Sequence, residues 1–363
     1  MLKDKTWLHK RLGIIVLGFM VLGQAGNAAA QPYDLIQLIN KLKQEQRQNP
    51  KEAIKLANDL PKCAPPANPR EIQALMDLIG ASQGDIQQKA IDCMAKINDP
   101  KLGLLFIPYI NHKNPMIQAT AAGICGKLKV RGSVPLLMEI VRRAAPVEGF
   151  ADTPAERAAV TAVVALGEIG NDRSIPALTD RLGRMGGYET NALAKFGHRA
   201  VPQLFKLAAE GKDKEIRQGA AQTLTMINDP QAVPLFRDEI KNKTSPVRKY
   251  AMIALLNSDP DKGLRELMTL WQDDRQDSML EYQLMFHINN NRLKDQSLCP
   301  FLIHVLEHSP DKNSRKGAAT ALGRIGGDES IAALKKALND EDEQVKLYAG
   351  QALEMLTGKP AGK

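Results

Sequence analysis

A histidine pair near the end of the chain has the spacing of a metal site. The segment from His304 to His308 reads HVLEH. Histidines four positions apart lie on one face of a helix, where both imidazoles could bind zinc, and the glutamate between them could activate water. A metal-dependent enzyme that uses His304 and His308 is therefore one hypothesis for this chain.

The surrounding register weakens that hypothesis. A repeated motif described below aligns His304 with Lys336 and His308 with Asp340, which would place both imidazoles in solvent near a helix C-terminus. The pattern resembles that of inverted zinc proteases, which take a third acidic ligand from well downstream, whereas this chain ends at Lys363. We therefore predict no cofactor, no catalytic residue and no metal site, and we keep the two histidines as weak metal candidates.

A glycine-rich stretch could instead hold phosphate. ALGRIGGDESIAAL, residues 321 to 334, places glycines directly before an apolar run, and a similar segment, ALGEIGNDRSIPAL, occupies residues 165 to 178. A phosphate loop is normally used once, whereas a structural corner recurs along a chain. The second copy therefore favours a corner between two helices.

Further copies define a repeat. Ala318 aligns with Ala349, and Ala220 with Ala251, at a period of about 31 residues. About nine such units can be placed from Asp85 to the C-terminus, some of them degenerate. This length is typical of a solenoid built from helical pairs, in which each unit packs only on its neighbours.

Each unit has the pattern helix, turn, helix. Ala318 and Ile325 fall on one apolar stripe of a first helix, and Gly326 is expected to end that helix with a positive φ. Asp328 is expected to cap the second helix through its side chain. Prolines at the start of second helices support the assignment, and these are Pro135, Pro176, Pro202, Pro234 and Pro300. The sequence thus predicts an all-α, right-handed α-solenoid of helical hairpins over residues 70–358.

The first 30 residues have the features of a secretory signal peptide. Basic residues precede an apolar run from Leu12 to Gly23, and Ala28 and Ala30 supply a cleavage motif that would leave Gln31 first. The run is shorter than the ~20 residues that span a membrane, although an uncleaved anchor is the alternative. We expect a periplasmic or secreted protein with no stable membrane insertion after cleavage.

The region after the signal is predicted to begin the solenoid. Residues 31–60 contain two amphipathic segments, which we interpret as an N-terminal helical cap, with a partner-binding module as the alternative. Residues 61–69, PKCAPPANP, are expected to form a stiff proline-rich linker.

Charge and cysteine content narrow the classes of partner. The formal net charge is +8, but the basic residues form no stripe with interleaved aromatics, so we predict no nucleic-acid partner. No C-x-x-C pair is present among the cysteines, which excludes the usual zinc spacing. Cys63 and Cys93 are the first candidates for a disulfide in an oxidising compartment, and buried free thiols are the alternative.

The repeats carry a family resemblance. The segments AATALGRIGGDESIAALKKALNDEDEQVKLYAGQAL, AAVTAVVALGEIGNDRSIPALTDRL and RQGAAQTLTMINDPQAVPLF resemble the HEAT-like repeats named for phycobilin lyases, as in an exported bacterial member. This resemblance implies the fold but leaves function open, because such repeats occur in scaffolds, lyase subunits and a di-iron hydroxylase. The hydroxylase would use His-Glu dipeptides, and this sequence contains none.

Departures from the repeat are the best guide to a binding surface. Extra residues between 144 and 156 form a predicted loop, after which Thr153 and Glu156 make a capping box. Gly186-Gly187 interrupts the next unit. The candidate partner-binding residues are Arg142, Arg143, Val147, Phe150 and Tyr188.

Three further aromatic residues are interpreted as core side chains and not as binding anchors. Trp271 matches Leu338 on a buried stripe, and Tyr282 and Phe286 are given the same interpretation. The sequence therefore predicts an exported, non-enzymatic scaffold or adaptor that binds a protein partner through the solenoid surface. The alternative is an enzyme or enzyme subunit, either lyase-like or metal-dependent.

Overall fold

A computed structural model describes residues 34–147, 149–211 and 213–358. In these residues the chain forms α-helices and 3₁₀ helices, with one isolated β-bridge, so the predicted all-α solenoid is confirmed. The predicted signal at residues 1–30 lies outside the described residues. The chain divides into two compact units, of which the first ends at Met226 and the second begins at Ile227.

The first unit follows the pattern of helical pairs. Its α-helices are α1 (Leu35–Gln48), α2 (Pro50–Ala57), α3 (Pro69–Ala81), α4 (Gly84–Met94), α5 (Pro115–Lys127), α6 (Val134–Arg143), α7 (Pro154–Ile169), α8 (Ile175–Thr179), α9 (Tyr188–Ala194), α10 (Val201–Glu210) and α11 (Lys214–Met226). A long 3₁₀ segment, Pro100–Asn111, lies between α4 and α5. Pro108, inside this segment, lacks the amide that an α-helix would use there, which favours this irregular form.

The second unit is more regular. Its α-helices are α12 (Val233–Lys241), α13 (Arg248–Ser258), α14 (Pro260–Asp273), α15 (Ser278–Asn290), α16 (Cys299–His308), α17 (Lys312–Ile325), α18 (Asp328–Ala337) and α19 (Glu343–Thr357). The apolar stripe of each helix is buried against its neighbours, and Trp271 on α14 is buried as predicted. Its ring meets Phe301 edge to face, with 4.8 Å between the ring centroids.

Small residues set the distance between successive first helices. Each repeat glycine faces an alanine of the next helical repeat, in the pairs Gly126 with Ala165, Gly167 with Ala192 and Gly323 with Ala352. A Cβ added to Gly167 would lie 2.8 Å from the Cα of Ala192, which is closer than such atoms can approach. The absence of a side chain is therefore what allows these backbones to touch.

A recurring arginine joins three of the first helices, α11, α13 and α17, to the end of the helix before each. It stands three positions before the stripe alanine, as Arg217, Arg248 and Arg315. Arg248 Nε donates to the carbonyl of Ile240 at 2.7 Å, and Arg315 Nη1 donates to that of Ser309 at 2.9 Å. Carbonyls at a helix C-terminus have no intrahelical partner, so this guanidinium both satisfies and neutralises that end.

The turns between paired helices agree with the predictions made from the sequence, except at one helix cap. Gly170 and Gly326 end their helices with φ of 64° and 79°, and the capping box of Thr153 with Glu156 is present. The predicted prolines lie in the first turn of their helices. Asp328 was expected to cap α18, but this is wrong, because the helix begins at Asp328 itself after two glycines with positive φ.

The N-terminal helices pack on the repeats. Leu38, Ile39 and Leu42 of α1 are buried, and Gln46 Nε2 donates to Ser82 Oγ at 2.8 Å, just after α3. The proline-rich segment contains a 3₁₀ turn, Leu60–Lys62, and runs without further helix to Pro69. The capping role of residues 31–60 and the stiffness of residues 61–69 stay predictions.

Candidate functional site

The predicted binding loop is folded onto the next irregular segment. Val147 and Met185 form the isolated parallel bridge, in which Val147 N donates to the carbonyl of Arg184 at 2.8 Å. The Val147 side chain is 4% exposed and Met185 is fully buried. The inserted loop and the segment around Met185 therefore pack against each other. Val147 is part of that packing and is not available to a partner.

Two further groups hold this pair of segments. Arg181 Nη2 donates to the carbonyl of Ala144 at 2.7 Å, which fixes the start of the loop. The carboxylate of Glu189 is completely buried and accepts from the amide of Gly183 at 2.7 Å. Burial raises the pKa of Glu189, although several backbone amides of the turn oppose that effect.

A small part of the loop remains available to a partner. Phe150 is 42% exposed, and Arg142 and Arg143 are exposed on the last turn of α6. Arg143 Nε lies 2.5 Å from a Glu139 carboxylate oxygen, so part of this positive charge is already neutralised. Tyr188 is half-buried, and desolvation raises the pKa of its hydroxyl. Among the described residues of this loop, Phe150 is thus the one large apolar side chain that is exposed.

The histidine pair lies on one helical face, as the spacing requires. The imidazole centroids of His304 and His308 are 4.7 Å apart, and His304 also meets the Trp271 ring at 5.1 Å. Burial, and then the neighbouring His308, lower the pKa of His304. Among the residues that the structure describes, no three His, Cys, Asp or Glu side chains are grouped to hold a metal ion.

All four cysteines are buried, and the structure joins none of them to another. Burial raises the pKa of Cys93 to about 12 and also raises that of Cys63. A thiol in this state supplies little thiolate for exchange reactions. The disulfide between Cys63 and Cys93 stays a prediction.

A second surface, which the sequence did not reveal, lies in the C-terminal unit. Helices α13 and α15 border a cavity of about 520 Å³, which we call the aromatic groove. Its lining residues are Lys249, Tyr250, Ile253, Ser278, Met279, Tyr282, Gln283 and Phe286. Apolar side chains dominate this list, and it includes two of the few phenylalanine and tyrosine residues that lie on the surface of the protein.

The aromatic side chains of this groove face solvent. Tyr282 is 56% exposed and Phe286 is 52% exposed, and their rings stack with 6.2 Å between centroids. The interpretation of both as core residues is wrong. Helix α15 carries a second apolar stripe of Leu280, Leu284 and Ile288, and this is the one that is buried. The signal available in the sequence was that α15 is apolar on both faces.

One charged side chain, that of Lys249, borders the groove. The ammonium of Lys249 lies 4.7 Å from the centroid of the Tyr250 ring, and in the described part of the chain it forms no ion pair. The carboxylates that adjoin the groove residues of α15 are engaged elsewhere, because Asp277 faces the Arg248 guanidinium at 2.6 Å and Glu281 accepts from the Ser309 hydroxyl at 2.6 Å. The groove is therefore apolar with a positive rim.

Comparisons with known proteins bear on the fold. The family of HEAT repeats matches residues 190–257 and 282–354, and the PBS lyase HEAT-like repeat matches residues 158–184. No curated protein matches the sequence. None of the helices in the described residues combines the length and the apolar character that crossing a bilayer requires.

Solved structures match over most of this chain. The karyopherin Kap121p bound to Nup53p is 14% identical over 97% of this chain, with a TM-score of 0.52. Kap121p bound to Pho4p is 14% identical over 96% of this chain, with a TM-score of 0.51. This chain spans 45% of the length of either. The complex of CpcE and CpcF of phycocyanin lyase from Nostoc is 19% identical over 72% of this chain and 95% of its own, with a TM-score of 0.29.

Proposed function

We propose that this chain, a HEAT-repeat protein, is a non-enzymatic scaffold or adaptor that binds a protein partner through the aromatic groove. The observation that carries the proposal is the cluster of Met279, Tyr282 and Phe286 on the outer face of α15. Soluble proteins rarely expose contiguous apolar patches without using them, and aromatic side chains dominate the energetic centres of interfaces.

The groove suits this role better than the predicted loop does. Phe150 is one exposed apolar residue, whereas the groove combines several apolar side chains with a concave shape. Buried apolar anchors in a pocket contribute most of the binding energy of an interface, while single exposed contacts contribute little. We propose that the loop makes no more than a secondary contact with the partner.

Export is the second component of the proposal. It rests on the basic residues, the apolar run and the Ala28 and Ala30 motif within residues 1–30. The proposed location is the periplasm or the exterior of the cell. Fractionation of cells that express the full chain tests this, and recovery of the unprocessed protein from the cytoplasm would reject it.

Site-specific photo-crosslinking tests the binding surface. A benzophenone amino acid placed at Phe286 should capture a partner protein in native cells, and the same group at Leu347 should not. Leu347 is a matched control because it is 55% exposed and lies on α19 of the same unit. Capture at Leu347 or at Phe150, with none at Phe286, would contradict the assignment.

Substitution gives an independent measurement. Phe286→Ser should lower recovery of the crosslinked or co-purified partner at least ten-fold, because loss of a central aromatic anchor typically costs about 2 kcal/mol or more. Leu347→Ser should leave recovery unchanged. Both variants should retain the melting temperature of the parent, since both side chains are more than half exposed.

A further inference from the structure

Resting on the proposed function, we infer that the occupant of the aromatic groove is an amphipathic helix of the partner that carries an acidic side chain beside its apolar anchors. The inference has two parts. The apolar spacing along α15 indicates the helix, and the charge at the rim indicates the acidic residue.

The spacing of the apolar side chains fits a helical ligand. Met279, Tyr282 and Phe286 stand at positions i, i+3 and i+7 of α15, a rise of about 10 Å along the helix axis. A helix that lies in a groove presents anchors at the same spacing on its own apolar face. The open side of the cavity between α13 and α15 can therefore receive two or three side chains from one such helix.

The charge at one end of the groove determines which helix fits. Lys249 and Ser278 lie in the first turns of α13 and α15, and both line the cavity. The lining contains no carboxylate. A partner carboxylate at this end would pair with the Lys249 ammonium and could accept from the Ser278 hydroxyl, whereas a lysine or arginine there would face a like charge.

Selection from a random library of displayed 16-residue peptides tests the occupant with a defined probe. The bait is the protein without its first 30 residues. Enriched peptides should carry apolar residues at i, i+3 or i+4, and i+7, with Asp or Glu within one turn of an outer anchor. The ratio of acidic to basic residues at that position should rise about five-fold over the input, the scale of one exposed ion pair.

Two bait variants make the result specific. Lys249→Glu should reverse the charge preference while keeping the apolar spacing. Phe286→Ser should abolish enrichment of the motif, and Leu347→Ser should leave it unchanged. A motif without an acidic preference, or one that survives Phe286→Ser, would overturn the inference.

The segment captured by the crosslinker distinguishes a failure of this inference from a failure of the proposed function. If benzophenone at Phe286 captures a partner protein but the captured segment is basic or extended, the proposed function stands and the acidic helix is rejected. If the same probe captures a second copy of this chain, or residues 12–23 of the chain itself, both are rejected. Capture of an acidic helical segment supports both.

Discussion

The buried ion pair between Arg315 and Asp340 should be a main support of the C-terminal unit. The guanidinium binds the carboxylate through two hydrogen bonds, Nε to Oδ2 at 2.9 Å and Nη2 to Oδ1 at 3.0 Å. The side chains are 7% and 10% exposed. Arg315→Met removes the positive charge with little change of volume, so that the Asp340 carboxylate is left buried without its partner.

The cost follows from that unpaired charge. Removing one member of a buried ion pair destabilises a protein by about 3–5 kcal/mol, and the Ser309 carbonyl also loses its donor. At a urea dependence of about 1–3 kcal/mol per molar, the midpoint of unfolding should fall by about 1 M or more. Lys346→Met is the control, because its partner Glu343 is exposed, and such pairs contribute at most about 1 kcal/mol.

Trp271 fluorescence is the appropriate probe of this unfolding. Trp271 is buried in the same unit as Arg315, and solenoid units can unfold separately, so a local signal is preferable to total helicity. A double variant, Arg315→Met with Asp340→Leu, should be more stable than Arg315→Met alone, since an apolar pair replaces the unpaired charge, while the Ser309 carbonyl and the Asp342 amide stay without their partners. A loss below about 1 kcal/mol for Arg315→Met alone would refute the reasoning.

Two other predictions concern packing and protonation. Gly167→Ala should destabilise the protein by about 1 kcal/mol, because overpacking against the next helix outweighs the gain in helix propensity, and thermal unfolding will show it. Gly80→Ala, whose added Cβ meets only the flexible end of the Ile117 side chain, should be neutral or stabilising. His308→Gln should raise the pKa of His304 without restoring its ordinary value, since burial remains, as an NMR titration will measure. The folded state disfavours the protonated form of His304. The free energy of unfolding therefore keeps the full contribution of His304 above pH 6.5 and loses part of it as the pH drops below that value.

Local chemistry explains why the repeat pattern predicted the helix boundaries well. The capping box of Thr153 and Glu156 begins α7, and Gly170 ends it with a positive φ that other residues adopt only with strain. The one failure, at Asp328, has a local cause. Gly326 and Gly327 both have positive φ, so the turn is completed before Asp328, and the helix begins one residue earlier than the capping rule predicts.

The exposure and the contacts of the candidate site residues were less predictable, because they depend on side chains of neighbouring repeats. Val147 and Tyr188 both belong to departures from the repeat, but the pattern could not show that the loop bridges to Met185 and buries Val147. The register of Arg217, Arg248 and Arg315 is visible in the sequence, yet each arginine finds its partner outside its own helix.

Element type, the repeat and the close approach of first helices follow from the sequence, because φ restrictions, caps and side-chain volume act over a few residues. Which apolar stripe of α15 is buried depends instead on how the helices pack. Leu280, Leu284 and Ile288 are covered by adjacent helices, while Tyr282 and Phe286, equally apolar in pattern, face solvent. Helical periodicity gives the angle between two stripes, but only the position of the neighbouring helices selects the inner one.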